Sequence, residues 1–283
     1  MKKLLITGAT GFLGREIIQK KITGYEVFCF VRKGSVDKIP KNNLNYVVGD
    51  LNDDESIKRA TKGISVVLHL ATSHIKGNEK ESLYYSQNLI KACRENKVKK
   101  IIFVSSMAVK RKIKDNYGET KLRIEDEIKN SGIEYTIIRP TMVYSLDNLS
   151  VIGQSLKDFP FVIPIIGDGK SKISPVFIAD LVEGIIKILN TKNSKNKVYE
   201  IGGKSKISLN EVIQLCKKRF KIKKVILHIP KIICIGIFKI FPIVSVESVK
   251  GVDEDTQVDS EELKKDLNLR LTDFKEKIKD VNL

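Results

Sequence analysis

The sequence has no tryptophan, three histidines and only four cysteines, Cys29, Cys93, Cys216 and Cys234. The cysteines are far apart and form no C-x-x-C pair, so neither a disulfide framework nor a zinc site is expected. This cysteine usage favours a reducing compartment, the cytoplasm, and the N-terminal apolar run is too short for a secretory signal. With 283 residues, 42% of them hydrophobic, the chain can form a large domain with a small lobe.

The sequence also lacks an uninterrupted hydrophobic run that could span a bilayer. The most apolar stretch, residues 229–246, contains Lys231 and Lys239 and is interrupted by Pro230 and Pro242. We expect a short core helix there, and contact with a membrane surface is the alternative, which the positive charge of the chain would favour.

The net charge is +17, from 51 Lys and Arg against 34 Asp and Glu. The excess is spread along the chain and is mostly lysine, without a basic run interleaved with aromatic residues. A lysine-rich solvated surface is therefore expected, and nucleic acid is not an expected partner.

Short runs rich in Val, Ile and Phe alternate with amphipathic segments over the first 140 residues. The runs, predicted to be strands, are residues 3–6, 26–31, 46–48, 65–70, 101–104 and 134–138. The segments with helical spacing are residues 12–21, 55–61, 82–96 and 117–131. This order predicts crossover units, and hence an α/β fold of the Rossmann type with a doubly wound parallel sheet.

The alternation weakens after Pro140. Residues 148–158 and 180–189 are predicted helices, residues 197–201 a strand, and Ser208 with Glu211 a capping box that opens another helix. We expect residues 1–145 and about 173–203 to form the sheet domain. Residues of about 146–172 and 204–283, which include an amphipathic tail, would form a small C-terminal lobe.

A glycine-rich turn joins the first predicted strand to the first predicted helix. Gly8 would permit the tight turn, Gly11 would let the backbone approach a pyrophosphate, and Gly14 would let helix and strand pack closely. The helix N-terminus would then face the phosphates with free N–H groups. A purely structural turn is the alternative. The predicted cofactor-binding residues of this turn are Thr7, Gly8, Thr10, Gly11, Phe12, Leu13 and Gly14.

The G-x-x-G-x-x-G wording of this turn resembles the short-chain dehydrogenase/reductase superfamily, in its extended and atypical, NAD-dependent epimerase/dehydratase-like branch. Other segments agree with it in order: Gly49-Asp50-Leu51, His69-Leu70-Ala71, Val104-Ser105-Ser106, Tyr117-Gly118-Glu119-Thr120-Lys121 and Arg139-Pro140. The resemblance implies that Asp50 and Leu51 contact adenine and that Leu70, Ala71 and Pro140 line the cofactor. It also implies a substrate-binding role for the small lobe.

The predicted catalytic residues are Ser106, Tyr117 and Lys121, where Lys121 lies four residues after Tyr117 and Ser106 eleven residues before it. Tyr117 and Lys121 are also predicted to contact the cofactor. On a helix this spacing places the phenol and the ammonium on one face. A fixed ammonium and a nicotinamide cation both favour phenolate and would draw the tyrosine pKa toward neutrality. Ser106, or Ser105 beside it, would hydrogen-bond the substrate oxygen, and Lys121 would also bind ribose. An incidental tyrosine is the alternative.

The end of the second strand indicates the cofactor. Residues 28–35 contain no Asp or Glu that could bind the ribose 2′-hydroxyl of NAD. Arg32 and Lys33 instead suit a 2′-phosphate, so NADP is favoured. The alternative is NAD, with Arg32 stacked on adenine.

These features predict an NAD(P)-dependent enzyme acting at a hydroxyl or carbonyl carbon of a small substrate, for which a sugar nucleotide is one candidate. The small lobe is short, and so is the segment between Ser106 and Tyr117. Both features favour a resemblance to the atypical reductases of the superfamily. Relatives of the complex I accessory subunit and of redox sensors belong there. Two alternatives stay open: a non-catalytic NAD(P)-binding sensor or assembly subunit, and a membrane-peripheral reductase of a lipid-like substrate. Helices 82–96 and 117–131 could pair in a homodimer, by analogy with relatives.

Overall fold

The computed structural model describes residues 1–39, 44–71, 79–240 and 245–282. The strands are β1 (Lys2–Thr7), β2 (Tyr25–Val31), β3 (Asn45–Val48), β4 (Val66–His69), β5 (Lys100–Val104), β6 (Glu134–Pro140), β7 (Val143–Tyr144), β8 (Val162–Ile166), β9 (Lys172–Ile173), β10 (Val176–Phe177), β11 (Lys197–Ile201), β12 (Ile207–Ser208) and β13 (Val225–Ile229). The helices are α1 (Phe12–Ile18), α2 (Asp54–Thr61), α3 (Glu79–Glu95), α4 (Asn116–Lys129), α5 (Leu146–Asp158), α6 (Ile178–Asn190), α7 (Leu209–Arg219), α8 (Lys231–Ile240), α9 (Val246–Lys250), α10 (Glu261–Leu267) and α11 (Phe274–Lys277).

A sheet of seven parallel strands dominates the described residues, in the order β11-β6-β5-β4-β1-β2-β3. The strand order runs outward in both directions from the β1–β4 pair. Ligands of such sheets bind in the crevice that opens at the carboxyl ends of the strands at this switch point. The predicted Rossmann-type α/β fold is therefore confirmed.

Both faces of the sheet are covered, which explains why its strands are continuously apolar. Along β1, Leu4 and Ile6 belong to one buried cluster with α1 and α6, and Leu5 belongs to the other, with α2, α3 and α4. The six strands and four helices predicted for the first 140 residues are all present, as is the capping box of Ser208 and Glu211.

The remaining chain builds short paired strands, β7 with β10, β9 with β12 and β8 with β13, around a third apolar cluster. The C-terminal tail returns to the main sheet, because Leu263, Leu267 and Leu269 pack in the same cluster as α6 and β11. The division into a sheet domain and a small lobe stays a prediction.

The expectation of a core helix within residues 229–246 was wrong in one respect. A helix forms, α8, but it lies on the surface: Ile232, Ile233 and Ile237 are 75%, 50% and 48% exposed, and Cys234 is buried. Only one narrow side of α8 meets the protein, so its apolar composition does not reflect burial. Residues 241–244 of this stretch lie outside the described residues. In the part of the chain that the structure describes, no helix is long and apolar enough to cross a membrane.

Candidate functional site

The glycine turn lies at the carboxyl end of β1, at the switch point of the sheet. Gly8 has φ +74°, a left-handed conformation that glycine adopts without strain, and the Gly11 N–H donates to the Gly8 carbonyl at 3.0 Å. A Cβ on Gly14 would lie 2.2 Å from the Gly8 oxygen, so only glycine fits where α1 crosses the turn. Gly11 is the N-cap of α1 and provides no capping side chain for the first-turn N–H groups. This cradle fits a dinucleotide pyrophosphate.

A chain of buried hydrogen bonds holds Thr7, the residue directly before the glycine turn, in place. The Ser86 hydroxyl donates to the Ser82 carbonyl, so the Ser86 oxygen accepts from Nε2 of His69 at 2.9 Å. His69 Nδ1 then accepts from the Thr7 hydroxyl at 2.7 Å, and the Thr7 oxygen in turn accepts from the Ala71 N–H at 3.4 Å. Burial, with the charge of Lys121, lowers the pKa of His69 to about 3, so the ring is neutral and serves as a connector.

Ser106, Tyr117 and Lys121 are brought together at the carboxyl end of β5. Ser106 caps the short 3-10 turn Met107–Lys110, where its oxygen accepts from the Ala108 N–H at 3.2 Å, and its hydroxyl lies close enough to the Tyr117 phenol to favour a lower pKa there. Lys121 is buried, donates to the Val104 carbonyl at 2.9 Å, and has its Nζ 5.9 Å from the centre of the Tyr117 ring. Tyr117 is 41% exposed as a residue, although its hydroxyl end is largely desolvated.

The protein groups shift these pKa values in directions that the sequence argument did not predict. Burial raises the pKa of Tyr117, outweighing the hydrogen bond from Ser106, and Asp115 adds to the rise. Burial also lowers the pKa of Lys121 to about 7, against the opposing charge of Glu125. The expected lowering of the tyrosine pKa by the ammonium is therefore not produced by the chain alone, because desolvation dominates at both groups.

Ser105 points away from this cluster and serves a structural network. Its hydroxyl donates to the fully buried Glu125 at 2.6 Å, and Arg139 donates to both oxygens of the same carboxylate at 2.9 and 2.6 Å. Burial alone would raise the pKa of Glu125, but these hydrogen bonds outweigh it and the pKa is lowered. Of the two adjacent serines, the geometry thus selects Ser106 as the one facing Tyr117.

Two residues that the sequence argument missed position Tyr117. A Cβ on Gly118 would lie 2.9 Å from the Ala108 carbonyl, so glycine lets α4 approach the turn that Ser106 caps. Asp115 caps α4 by accepting from the Gly118 N–H at 2.9 Å. The Y-G-x-x-K motif could have identified Gly118, and the aspartate two residues before the tyrosine could have identified Asp115.

The other predicted cofactor residues lie along the same edge of the sheet. Arg32 and Lys33 follow β2 and are exposed, and in the described part of the chain neither forms an ion pair. Asp50 and Leu51 follow β3, where the Asp50 carboxylate accepts from the Asn52 N–H at 2.9 Å. Pro140, buried, ends β6. The structure therefore brings these residues to the crevice edge, and their binding roles stay predictions.

Taken together, the fold and the glycine cradle define a dinucleotide-binding Rossmann protein. The family model described as NAD(P)H-binding matches residues 8–156, more than half of the chain. The chain belongs to this family, of the NAD-dependent epimerase/dehydratase-like, short-chain dehydrogenase/reductase type.

Curated relatives of diverse function are similar to most of the chain. One is the photosystem II assembly factor Ycf39 of Trieres chinensis, 26% identical over 81% of this chain and 74% of its own length. Another is the N-acetyl-alpha-D-glucosaminyl-diphospho-ditrans,octacis-undecaprenol 4-epimerase of Escherichia coli O157:H7, 25% identical over 80% and 75%. A mitochondrial NADH dehydrogenase 1 alpha subcomplex subunit 9 of Arabidopsis thaliana is 27% identical over 74% and 56%.

Solved structures share the fold at low identity. A nucleoside-diphosphate-sugar epimerase of Staphylococcus aureus has a TM-score of 0.81 at 21% identity, covering 99% of this chain and 100% of that one. An NADPH-dependent quinone oxidoreductase of Escherichia coli, complexed with NADPH, has a TM-score of 0.77 at 22% identity, covering 97% and 98%. Identities at this level establish the fold and leave the substrate open.

Proposed function

We propose that this protein is an NADP-dependent oxidoreductase, of the epimerase/dehydratase or reductase type, acting at a hydroxyl or carbonyl carbon of a small substrate. The observation that carries the proposal is the convergence of Ser106, Tyr117 and Lys121 beside the glycine cradle. Ser106 can donate a hydrogen bond, Tyr117 can exchange a proton, and both lie at the crevice where this fold binds its ligands.

The cradle at Gly8, Gly11 and Gly14 would hold the pyrophosphate. Arg32 and Lys33, exposed and free of acidic partners among the described residues, would bind a 2′-phosphate, which favours NADP over NAD. Among the solved neighbours are one described as a complex with NAD and one described as a complex with NADPH, so either cofactor suits the fold.

When bound, the nicotinamide would exchange a hydride with the substrate carbon. In the reductive direction, the Tyr117 hydroxyl donates a proton to the substrate oxygen as the carbonyl becomes an alcohol, and in the oxidative direction it accepts that proton. The Ser106 hydroxyl, which lies beside Tyr117, would donate to the substrate oxygen and hold it against the phenol.

Lys121 would act on Tyr117 and on the ribose. Its Nζ is fixed by the Val104 carbonyl on the side of Tyr117, and its pKa of about 7 places its charge within reach of neutral pH. Binding an anionic dinucleotide beside it favours the ammonium, which in turn favours tyrosinate.

Replacing Tyr117 by phenylalanine tests the assignment. We expect Tyr117→Phe to bind NADPH as tightly as the unaltered protein and to lose about hundredfold or more in turnover, because only the proton donor is removed. NADPH oxidation is followed with quinones and with UDP-glucose-derived ketones as probes. Tyr84→Phe, at a half-exposed tyrosine on α3, is the matched control and should change neither property. Turnover that survives in Tyr117→Phe would show that the phenol is not the acid.

A second candidate is a non-catalytic NAD(P)-binding assembly subunit. It is favoured by two relatives whose names describe a photosystem II assembly factor and a complex I subunit. The Tyr117–Lys121 pair argues against it, because binding alone needs no proton donor. Tight NADPH binding with no turnover on any probe would favour this candidate.

The substrate class, location and assembly complete the proposal. Relatives named as sugar epimerases make a sugar nucleotide the first substrate to try. The four cysteines are all free and buried, which suits the cytoplasm. A homodimer through α3 and α4 is proposed by analogy with relatives.

A further inference from the structure

Strand β13 and helix α8, which follow one another in the chain, both expose large apolar side chains, and β13 pairs with β8, which Phe161 directly precedes. We call the docking face the exposed residues Phe161, Val225, Leu227, Ile232, Ile233 and Ile237. Isolated exposed apolar residues are ordinary, but a contiguous set marks an interaction site.

The pairing of β8 with β13 explains half of the docking face. The two strands are parallel, with Val225 opposite Val162 and Leu227 opposite Pro164. Side chains alternate along a strand, so Val225 and Leu227 point to the same side, away from the buried Ile163. This small sheet therefore has one apolar side in the core and a second apolar side in solvent.

Helix α8 continues the docking face directly after β13. Ile232, Ile233 and Ile237 lie on one side of the helix, and Cys234 and the half-buried Phe238 lie on the other. A helix with isoleucines on its solvent side does not gain stability from the exposed side chains. At 75%, 50% and 48% exposure, these three side chains are open to contact with another molecule.

The charge around the docking face identifies the partner. Residues 212–246 contain seven lysines and one arginine and no acidic residue, so this segment carries nearly half of the net charge of +17. The charge is thus concentrated here, more than the sequence argument recognised. Within the described residues only Lys231 of these eight forms an ion pair, with Asp253. Lys221 and Lys223 are exposed immediately before β13 and border the docking face.

We propose that the docking face binds an anionic lipid bilayer as a peripheral surface. Isoleucine and phenylalanine side chains would enter the boundary between headgroups and acyl chains, and the unpaired lysines would contact lipid phosphates. A second copy of this chain would bring the same excess of lysines against itself, which disfavours a symmetric dimer through this face.

A chain of contacts links the docking face to the candidate active site. Helix α8 packs against α9, and Ser248 of α9 donates to the Asp115 carboxylate at 2.9 Å. Asp115 caps α4 two residues before Tyr117. The docking face and the catalytic tyrosine are thus joined through two helices, which suits a substrate that is delivered at the bilayer surface.

Vesicle co-sedimentation of the full chain tests the proposal. We expect binding to vesicles of phosphatidylcholine mixed with phosphatidylglycerol, little binding to phosphatidylcholine alone, and weaker binding as salt is raised. Ile233→Asp/Ile237→Asp should abolish binding. Lys221→Gln/Lys223→Gln should weaken it by roughly tenfold.

Matched controls separate the docking face from general effects of charge and folding. Lys20→Gln/Lys21→Gln removes the same charge from exposed lysines after α1 and should bind vesicles as the unaltered protein does. Every variant is first shown to bind NADPH, which establishes that it is folded.

Three results would overturn the proposal. The first is that the protein does not bind anionic vesicles. The second is that Lys221→Gln/Lys223→Gln and Lys20→Gln/Lys21→Gln weaken vesicle binding equally, which would show a nonspecific effect of charge. The third is a concentration-dependent dimer, seen by analytical ultracentrifugation and abolished by Ile233→Asp/Ile237→Asp, which would make the docking face a protein interface.

Discussion

Ser105 and Ser106 are neighbours in sequence and have separate tasks in the structure. Ser106 lies beside Tyr117 and favours a lower pKa of its phenol, and Ser105 donates to the buried carboxylate of Glu125. From the sequence alone both serines stay candidates, because adjacent residues at the end of a strand differ only in the direction of their side chains. That direction depends on the partner, and Glu125 lies on another element.

Replacing each serine by alanine should separate the catalytic role from the structural one. We expect Ser106→Ala to lower turnover by about tenfold or more, because a donor to the substrate oxygen is lost, and to cost about 1 kcal/mol or less of stability through the lost cap of a short turn. Ser105→Ala should lower the free energy of unfolding by about 1–3 kcal/mol, because Glu125 keeps its burial and loses a donor. Chemical denaturation and steady-state kinetics measure the two effects. The reverse assignment, with Ser105→Ala losing turnover at full stability, would contradict the geometry.

The buried Lys121 should make stability depend on pH. Its pKa falls from 10.5 to about 7 on folding, so between these values the unfolded chain binds more protons and stability rises with pH. We expect Lys121→Met to lose this rise between about pH 7 and pH 10.5, relative to the unaltered protein. Lys99→Met, at an exposed lysine, should keep it. Denaturation midpoints across this pH range provide the measurement, and an unchanged slope in Lys121→Met would show that the ammonium is not desolvated.

At the scale of elements, the strand–turn–helix unit was predictable because its glycines are spaced by a physical requirement. Gly8 adopts a left-handed φ, and Gly14 allows a close approach of α1 to the turn. Both requirements appear in the sequence as glycines at a fixed spacing after an apolar strand. The exposure of α8 was not predictable, because an apolar segment has the same sequence pattern whether it is buried or exposed. The fold is needed to show which sides of α8 and β13 have few neighbours among the described residues.

Alanine at two glycines tests the close packing of the first crossover. We expect Gly14→Ala to cost about 1–3 kcal/mol of stability and to weaken NADPH binding, because its Cβ would lie 2.2 Å from the Gly8 oxygen. Gly236→Ala, in α8, has no atom within 4 Å of its Cβ and should stabilise the helix by about 0.5–1 kcal/mol. Thermal unfolding with and without NADPH gives both values. If Gly14→Ala changed neither stability nor NADPH binding, α1 would have to be able to shift away from the glycine turn.

For the whole molecule, the alternation of strands and helices sufficed to predict the sheet, because parallel strands buried on both faces are apolar throughout. The return of the tail to this sheet was not apparent. Leu263, Leu267 and Leu269 lie far along the chain from β1 and α6, and amphipathic spacing does not say which core a helix will join. The Asp180 carboxylate, which accepts from the Thr272 N–H and hydroxyl, fixes the same return.

The tail should therefore contribute to global stability. Leu263 is 1% exposed, and we expect Leu263→Ala to lower the free energy of unfolding by about 2–5 kcal/mol. Val151→Ala, at a side chain that is 66% exposed, should change it by less than about 0.5 kcal/mol. Urea denaturation followed by circular dichroism compares them. Equal effects would show that the tail docks only weakly on the sheet.

Cofactor titration tests the central claim, that this chain binds NADP at the carboxyl edge of the sheet. Nicotinamide fluorescence is followed as NADPH or NADH is added, and the absence of tryptophan keeps the protein background low. We predict tighter binding of NADPH than of NADH, and a preference that is largely lost in Arg32→Ala. The preference should be kept in Arg94→Ala, a control at an exposed arginine in the last turn of α3. Equal binding of both cofactors, unchanged by Arg32→Ala, would contradict the assignment of the 2′-phosphate site, and binding of neither would contradict the account as a whole.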